Sequence, residues 1–344
     1  MKKKLALLLA LLLSLTACGR TASEPPGGAA PQEAKPETAP VQEAEPPYTV
    51  RAAALKGPTA MGLVKLMDEA DSQTGEPWGA YAFTLAASAD EVTPLLIRGD
   101  LDVACVPANL AAVLYNRTEG GIVTLAINTL GVLYLVENGG TVQSLADLRG
   151  KTIAAAGKGS TPEYGLRYLL KENGLNPDQD VTIDWKSEHA ECVAALASGT
   201  ASIAMLPQPF VAVAQGKLPE LRTALDLTAE WEALDNGSAM ITGVAVARRA
   251  FVEEHPEETE WFLRDYASSA AWVGENTAEA AALIGKYGIV ETAVAEKALP
   301  YCNIVCLTGQ DMADKLSGYL KVLYDADPAS VGGALPGAGF CYGE

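Results

Sequence analysis

Ala-Ala-Ala-Leu-Lys-Gly-Pro-Thr-Ala-Met-Gly-Leu-Val-Lys-Leu at residues 52–66 and Ala-Ala-Ala-Gly-Lys-Gly-Ser-Thr-Pro-Glu-Tyr-Gly-Leu-Arg-Tyr-Leu at residues 154–169 are two versions of one pattern. In each, a short apolar run meets Lys-Gly-X-Thr (Lys56 to Thr59, Lys158 to Thr161) and passes into an amphipathic helical rhythm. Glycine permits a tight turn, and hydroxyl residues or proline suit the first positions of a helix. The unit is a strand, a polar turn and a helix N-terminus. Two copies about a hundred residues apart point to two similar halves facing one ligand. Neither copy has the spacing, nor the following Lys-Ser/Thr, of a nucleotide-binding phosphate loop.

A second pair of segments repeats in the same order. Gly99-Asp100-Leu101-Asp102-Val103-Ala104-Cys105-Val106-Pro107 precedes Gly199-Thr200-Ala201-Ser202-Ile203-Ala204-Met205-Leu206-Pro207 by one hundred residues. Both run from a glycine turn through a buried strand to a proline, whose helical φ and missing N–H suit a helix start. The intervening sequence alternates strand and helix signals, which predicts mainly parallel sheets covered on both faces. Extended segments at 130–137 and 240–248, the latter holding Thr242 and Gly243, would carry the chain into a second lobe and back as hinge crossovers. The expected division is lobe 1 at 48–129 plus 249–344 and lobe 2 at 138–239. Beyond Arg248 the pattern is mostly helical, at 256–273, 278–287 and 310–324.

Upstream of this lies a targeting device. Lys2 to Lys4 precede an apolar run from Leu5 to Leu13, too short to span a bilayer and followed by small residues, as in a secretory signal over residues 1–17. Leu15-Thr16-Ala17-Cys18 resembles the bacterial lipobox, which makes Cys18 the expected lipidated N-terminus. Residues 18–47, rich in Pro, Ala and Glu with few large apolar side chains, read as a disordered tether that spaces a folded part from a membrane.

The 344 residues carry 25 basic and 43 acidic side chains, a formal charge of −18, and no basic cluster beyond Lys2 to Lys4. A nucleic-acid partner has no electrostatic footprint in such a chain. Two His, His189 and His255, lack metal-ligand spacing with the Cys residues, so no metal and no cofactor is expected. No nucleophile motif supports catalysis. Of six Cys residues, Cys302 or Cys306 could pair with Cys341, while Cys105 and Cys192 read as buried apolar residues.

The candidate site follows from a general rule of open α/β sheets: ligands sit beyond the carboxyl ends of strands, where helix N-termini point. That selects Lys56, Gly57 and Thr59, then Asn109, then Lys158, Ser160 and Thr161, and finally Gln208 and Phe210. Tyr164 joins them as an aromatic surface for a planar ligand, with Tyr134 and Trp185 as weaker options.

These features together resemble an extracytoplasmic solute-binding protein of an ABC importer. The resemblance is to the bilobal type II class, in the branch holding sulfonate, nitrate and thiamine-precursor binders. It covers nearly all of the chain after the tether. It rests on the lipobox, on Asp147-Leu148-Arg149-Gly150-Lys151-Thr152-Ile153, and on the strand–Pro–helix units at Pro107 and Pro207. The resemblance implies an α/β, bilobal type II periplasmic-binding-protein fold with two doubly wound sheets joined by a two-strand hinge. It also implies closure around a small solute and delivery to an ABC permease with its ATPase. The expected protein is a non-enzymatic monomer, lipid-anchored on the outer face of the cytoplasmic membrane. Its ligand would be anionic, sulfonate- or carboxylate-like, or a planar thiamine-precursor-like heterocycle. The alternative is a sensing or scaffold lipoprotein on the same fold.

Overall fold

The computed structural model describes residues 48–72 and 79–343. The leader, Cys18 and the tether expected over 1–47 lie outside these residues. The described chain falls within one compact unit, residues 46–344.

The apolar run before Lys56 is strand β1 (Thr49–Leu55), followed by two short helices, α1 (Pro58–Met61) and α2 (Val64–Ser72). The amphipathic rhythm after Lys56 reads as one continuous helix, and the structure interrupts it. It breaks at Gly62 because a side chain there would sit 2.9 Å from both Ile304 and the Tyr266 hydroxyl, so neighbouring elements approach the backbone itself. Next come β2 (Ala80–Ala86), α3 (Ala89–Arg98), β3 (Val103–Pro107), α4 (Ala108–Arg117) and β4 (Ile122–Leu130). The chain then passes through β5 (Leu133–Glu137), β6 (Thr152–Ala155), α5 (Thr161–Glu172) and β7 (Thr182–Trp185). After these stand α6 (His189–Ala197), β8 (Ile203–Pro207), α7 (Phe210–Lys217), β9 (Arg222–Asp226) and α8 (Leu227–Glu232). Strand β10 (Ile241–Arg248) leads to helices α9 (Arg249–Glu254), α10 (Pro256–Glu275), α11 (Thr277–Lys286) and α12 (Thr292–Ala298). Strand β11 (Ile304–Leu307) and helix α13 (Gly309–Ala326) complete the order.

Two sheets result, one ordered β11-β4-β10-β3-β1-β2 and the other β7-β6-β8-β5-β9. Five strands of the first match the five of the second, with β11 as an extra edge strand. In the first, β1 runs parallel to β2 and β3, and β10 lies antiparallel between β3 and β4. In the second, β6 runs parallel to β7 and β8, and β5 lies antiparallel between β8 and β9. The repeated segments therefore head equivalent strands: β1 with β6, and β3 with β8. Each sheet is mixed rather than mainly parallel, because each receives as its antiparallel member the strand that arrives from the other half.

That exchange shortens the links between the sheets. Both expected crossover segments are strands paired on two sides, β5 within 130–137 and β10 within 240–248. The connections that remain are residues 131–132 and 233–240. At the first, Gly131 leaves no room for a side chain, since a Cβ would fall 2.1 Å from the Thr228 hydroxyl.

Helices flank the first sheet on both faces. On one, Met61, Leu66, Phe262, Tyr266 and Ile284 bury against Val50, Ala52 and Ala245. A second core runs between the halves. Trp231 of α8 is fully buried between Tyr168 of α5 and Tyr319 of α13, at ring separations of 4.8 and 5.6 Å. Its indole N–H donates to Ser238 at 2.9 Å, which satisfies the polar end of the ring. Helix α13 thus bridges both sheets. Cys105 and Cys192 are buried as expected, and Cys302 and Cys306 are thiols outside any disulfide, so neither is joined to Cys341. Among the described residues no helix is long and apolar enough to cross a membrane.

Candidate functional site

Where the carboxyl ends of the two sheets meet, the structure holds a cavity of about 230 Å³. Five helices begin at its wall. Pro58 and Thr59 open α1, Pro107 caps α4, Thr161 opens α5, His189 opens α6 and Phe210 opens α7. The first N–H groups of a helix have no intrahelical acceptor, and its dipole is positive at that end. The cavity is therefore an electropositive place built largely without side-chain charge. Lys56, an exposed residue on the β1–α1 turn, is the one cation among its lining residues.

Each polar side chain there has a local reason for its position. Thr59 is buried, and its hydroxyl donates to Leu55 O at 3.0 Å, which ties the helix start to the end of β1. Ser160 donates to Gly157 O at 2.8 Å and closes the equivalent turn after β6. Thr161, 2% exposed, donates at 3.5 Å to the Asn109 carbonyl oxygen, across from one sheet's helices to the other's. Gln208 is 5% exposed, with its backbone N–H donating to Val132 O at 3.0 Å. His189 stacks at an angle on Phe210, with ring centroids 5.3 Å apart.

The walls are otherwise apolar: Leu55, Val132, Leu133 and five prolines at 58, 107, 162, 207 and 209. Three buried polar atoms at the cavity have no protein partner among the described residues: Gln208 Oε1, His189 Nδ1 and Thr242 Oγ1. A buried polar group without a partner is costly, so three at one cavity mark where a ligand would complete them. Burial pushes the His189 imidazolium down to about 4, so the ring is neutral near pH 7.

The expected residues divide in two. Lys56, Gly57, Thr59, Ser160, Thr161, Gln208 and Phe210 come together at the cavity. Thr242, expected in a hinge, lines it too, from β10. Gly243 lies beside it in the strand, where a Cβ would meet Thr59 at 2.5 Å and Asn128 at 2.6 Å. Three residues fall outside. Asn109 is buried behind Thr161, with its amide donating to Ser330 O at 3.2 Å. Lys158 and Tyr164 line a separate surface pocket with Trp185, Arg167 and Asp327. Tyr134 lines another, with Asp226 and Tyr301. Lys158 departs from its counterpart Lys56 because Gly157 and Gly159, both at positive φ, turn the chain differently around it. His189 was missed as a site residue. Its signal was positional: it begins the helix after β7, as Thr161 does after β6.

A family model described as the periplasmic, phosphonate substrate-binding protein of an ABC transporter matches residues 63–249, more than half of the chain. The chain belongs to this family. It is accordingly the substrate-binding, non-enzymatic component of an ABC transporter, acting outside the cytoplasm with a small-molecule ligand and a permease partner. No curated protein matches the chain in sequence. Among solved structures, the binding protein is similar to an ABC transporter protein from Parabacteroides distasonis, with 22% identity and a TM-score of 0.73. That likeness covers 86% of this chain and 98% of the other. It is also similar to the periplasmic aliphatic sulphonate-binding protein SsuA of Escherichia coli, with 17% identity, TM-score 0.66, and coverage of 81% and 88%. The nitrate-binding protein NrtA of Synechocystis follows, at 16% identity, TM-score 0.54, and coverage of 72% and 68%. At these identities the likenesses establish the fold: α/β, bilobal, of the periplasmic-binding-protein type.

Proposed function

We propose that the binding protein is a lipid-anchored receptor that captures a small organic acid between its two sheets and hands it to the permease. The carrying observation is that five helix starts converge on one apolar cavity. An anionic head would sit against the helix N-termini, with Thr161, Ser160 and Thr242 as hydroxyl partners and Lys56 at the rim. The apolar remainder would lie on the prolines, Leu133 and Phe210. The family's phosphonate description and the sulphonate-binding neighbour support an oxyanion head.

The angled His189–Phe210 pair favours a second reading, a planar heterocycle of the thiamine-precursor kind held by stacking. A thermal-shift panel of alkyl and aryl phosphonates, sulfonates and carboxylates beside neutral pyrimidines separates the two. An acid at about 100 times its Kd should add about 2.7 kcal/mol of stability. Shifts from pyrimidines alone would overturn the organic-acid reading.

A further inference from the structure

Beside the cleft lies a second cavity, of about 330 Å³, whose chemistry is of the opposite sign. Leu133 lines the cleft and Tyr134 lines this cavity. Successive side chains of a strand point to opposite faces, so β5 separates the two spaces. Gln208 is the residue common to both linings.

The pairing of β5 with β9 builds the site. Tyr134 and Asp226 are direct partners in the antiparallel register, which sets ring and carboxylate side by side. One Asp226 oxygen accepts the Thr228 N–H at 2.9 Å, and this fixes the carboxylate at the start of α8. No Lys or Arg lines the cavity, and Arg222 of the same strand is paired with Glu137. The Tyr134 hydroxyl donates to Tyr301 O at 3.2 Å, which brings a second aromatic residue to the cavity. Tyr301 is 56% exposed, so its ring is not used up in a core. Burial, and after it the Asp226 carboxylate, push the Tyr134 phenol up, and the ring stays uncharged. Gln208 is 5% exposed, and its side-chain oxygen has no protein partner among the described residues. An amide can donate as well as accept, so Gln208 marks an unfilled polar place without choosing the sign of an occupant. Asp226 and the two rings choose it.

We propose that this cavity is a second ligand site, for a small organic ammonium ion held against the Tyr134 and Tyr301 rings with Asp226 as its counter-ion. A cation within about 6 Å of an aromatic face is attracted by the ring's charge distribution. The carboxylate adds attraction that no cationic side chain of the lining cancels. Gln215 and Thr223 contribute further oxygens to the same wall. An anion would meet an unopposed carboxylate there. The site also spans the two sheets. Tyr134, Thr223 and Asp226 stand on the second sheet, and Tyr301 stands just ahead of β11 of the first. An occupant touching both stabilises their junction.

Calorimetric titration and thermal melts of the purified protein with tetramethylammonium chloride test this. The controls are tert-butanol, a neutral molecule of similar shape, and sodium chloride at the same ionic strength. The expected result is saturable tetramethylammonium binding with a Kd on the order of 1 mM. The melting temperature should rise as the site fills, and neither control should reproduce the effect. Asp226→Asn keeps an oxygen for the Thr228 N–H and removes the charge. Tyr301→Ala removes the exposed ring at little cost to the core. Each should weaken binding about fivefold or more, and the melting temperature of each ligand-free variant checks its folding. Tetramethylammonium binding that is absent, matched by tert-butanol, or unchanged in both variants would overturn the inference. The organic-acid reading of the cleft has its own ligand panel and stands or falls separately.

Discussion

Asn109 and Thr161 meet behind the cleft wall, and the pair joins helix starts from opposite sheets. Asn109→Ala would strand Ser330 O and the Thr161 hydroxyl in a buried place. The expected cost is about 1–3 kcal/mol in denaturant unfolding. Thr161→Ala should cost binding about 1 kcal/mol, roughly fivefold in Kd by calorimetry, and, by leaving the buried Asn109 side-chain oxygen unpaired, should also lower stability by about 1–3 kcal/mol. His189 gives a pH signature of its own. Its folded ionisation lies near 4, below its usual 6.5, so between those values the unfolded chain binds more protons than the native one. Stability therefore falls as pH falls from 6.5 towards 4, and thermal melts of His189→Gln should lose less over that window. That Lys56, Thr59, Ser160, Thr161, Gln208 and Phe210 gather at one cavity was readable from strand-to-helix spacing. What spacing does not reveal is the side-chain direction at a turn. Two glycines at positive φ around Lys158 decide that it points away, and nothing in the residue order of a Lys-Gly-X-Thr motif encodes this.

Strands β5 and β10 are the elements on which the arrangement depends, because each completes a sheet begun by the other half. Gly243 in β10 lets Thr59 and Asn128 close on the strand backbone. Gly243→Ala should push Thr59 into the cavity, lowering ligand affinity and costing about 1–3 kcal/mol of stability. A combined binding and melting measurement checks both effects. The alternation of strands and helices was legible because each apolar run is short and bounded by glycine or proline. The two crossover segments were legible as extended runs, but a strand that crosses between sheets has the same hydropathy as one that stays, so their pairing within the sheets was not. Strand β11 and helix α12 escaped notice for another reason. Ile304 to Leu307 is only half-buried, and α12 is short and alanine-rich, so neither shows strong periodicity.

At the scale of the molecule, one buried carboxylate braces each half, Asp102 in the first and Glu137 in the second. Burial pushes Asp102 up, yet hydrogen bonds from Arg51 and Arg248 outweigh it and hold the carboxyl below its usual value. Burial likewise opposes Glu137, but the Thr141 hydroxyl, the backbone N–H groups of Thr141 and Val142, and Arg222 bring it to about 2. Both contributions are present above the usual carboxylate range and are lost as pH falls through the folded values. Melting temperature should therefore drop between about pH 4.5 and 2, and Glu137→Gln should flatten that drop. The duplication itself was legible, since both copies of both repeats occupy matching strands. The proposed lipid anchor at Cys18 predicts that Cys18→Ala releases the protein from the membrane fraction and abolishes incorporation of labelled palmitate.

The prolines of the cleft have a thermodynamic consequence. Five prolines and several aliphatic side chains make much of the wall apolar, so filling the cleft removes a large share of apolar surface from water. Capture of the ligand should then carry a clearly negative heat-capacity change, read as a binding enthalpy that grows more favourable with temperature. A clamp made only of charges and amides would show much less of that slope. Titrations at several temperatures would thus reveal in the heat of binding how far this receptor grips the body of its ligand as well as the head.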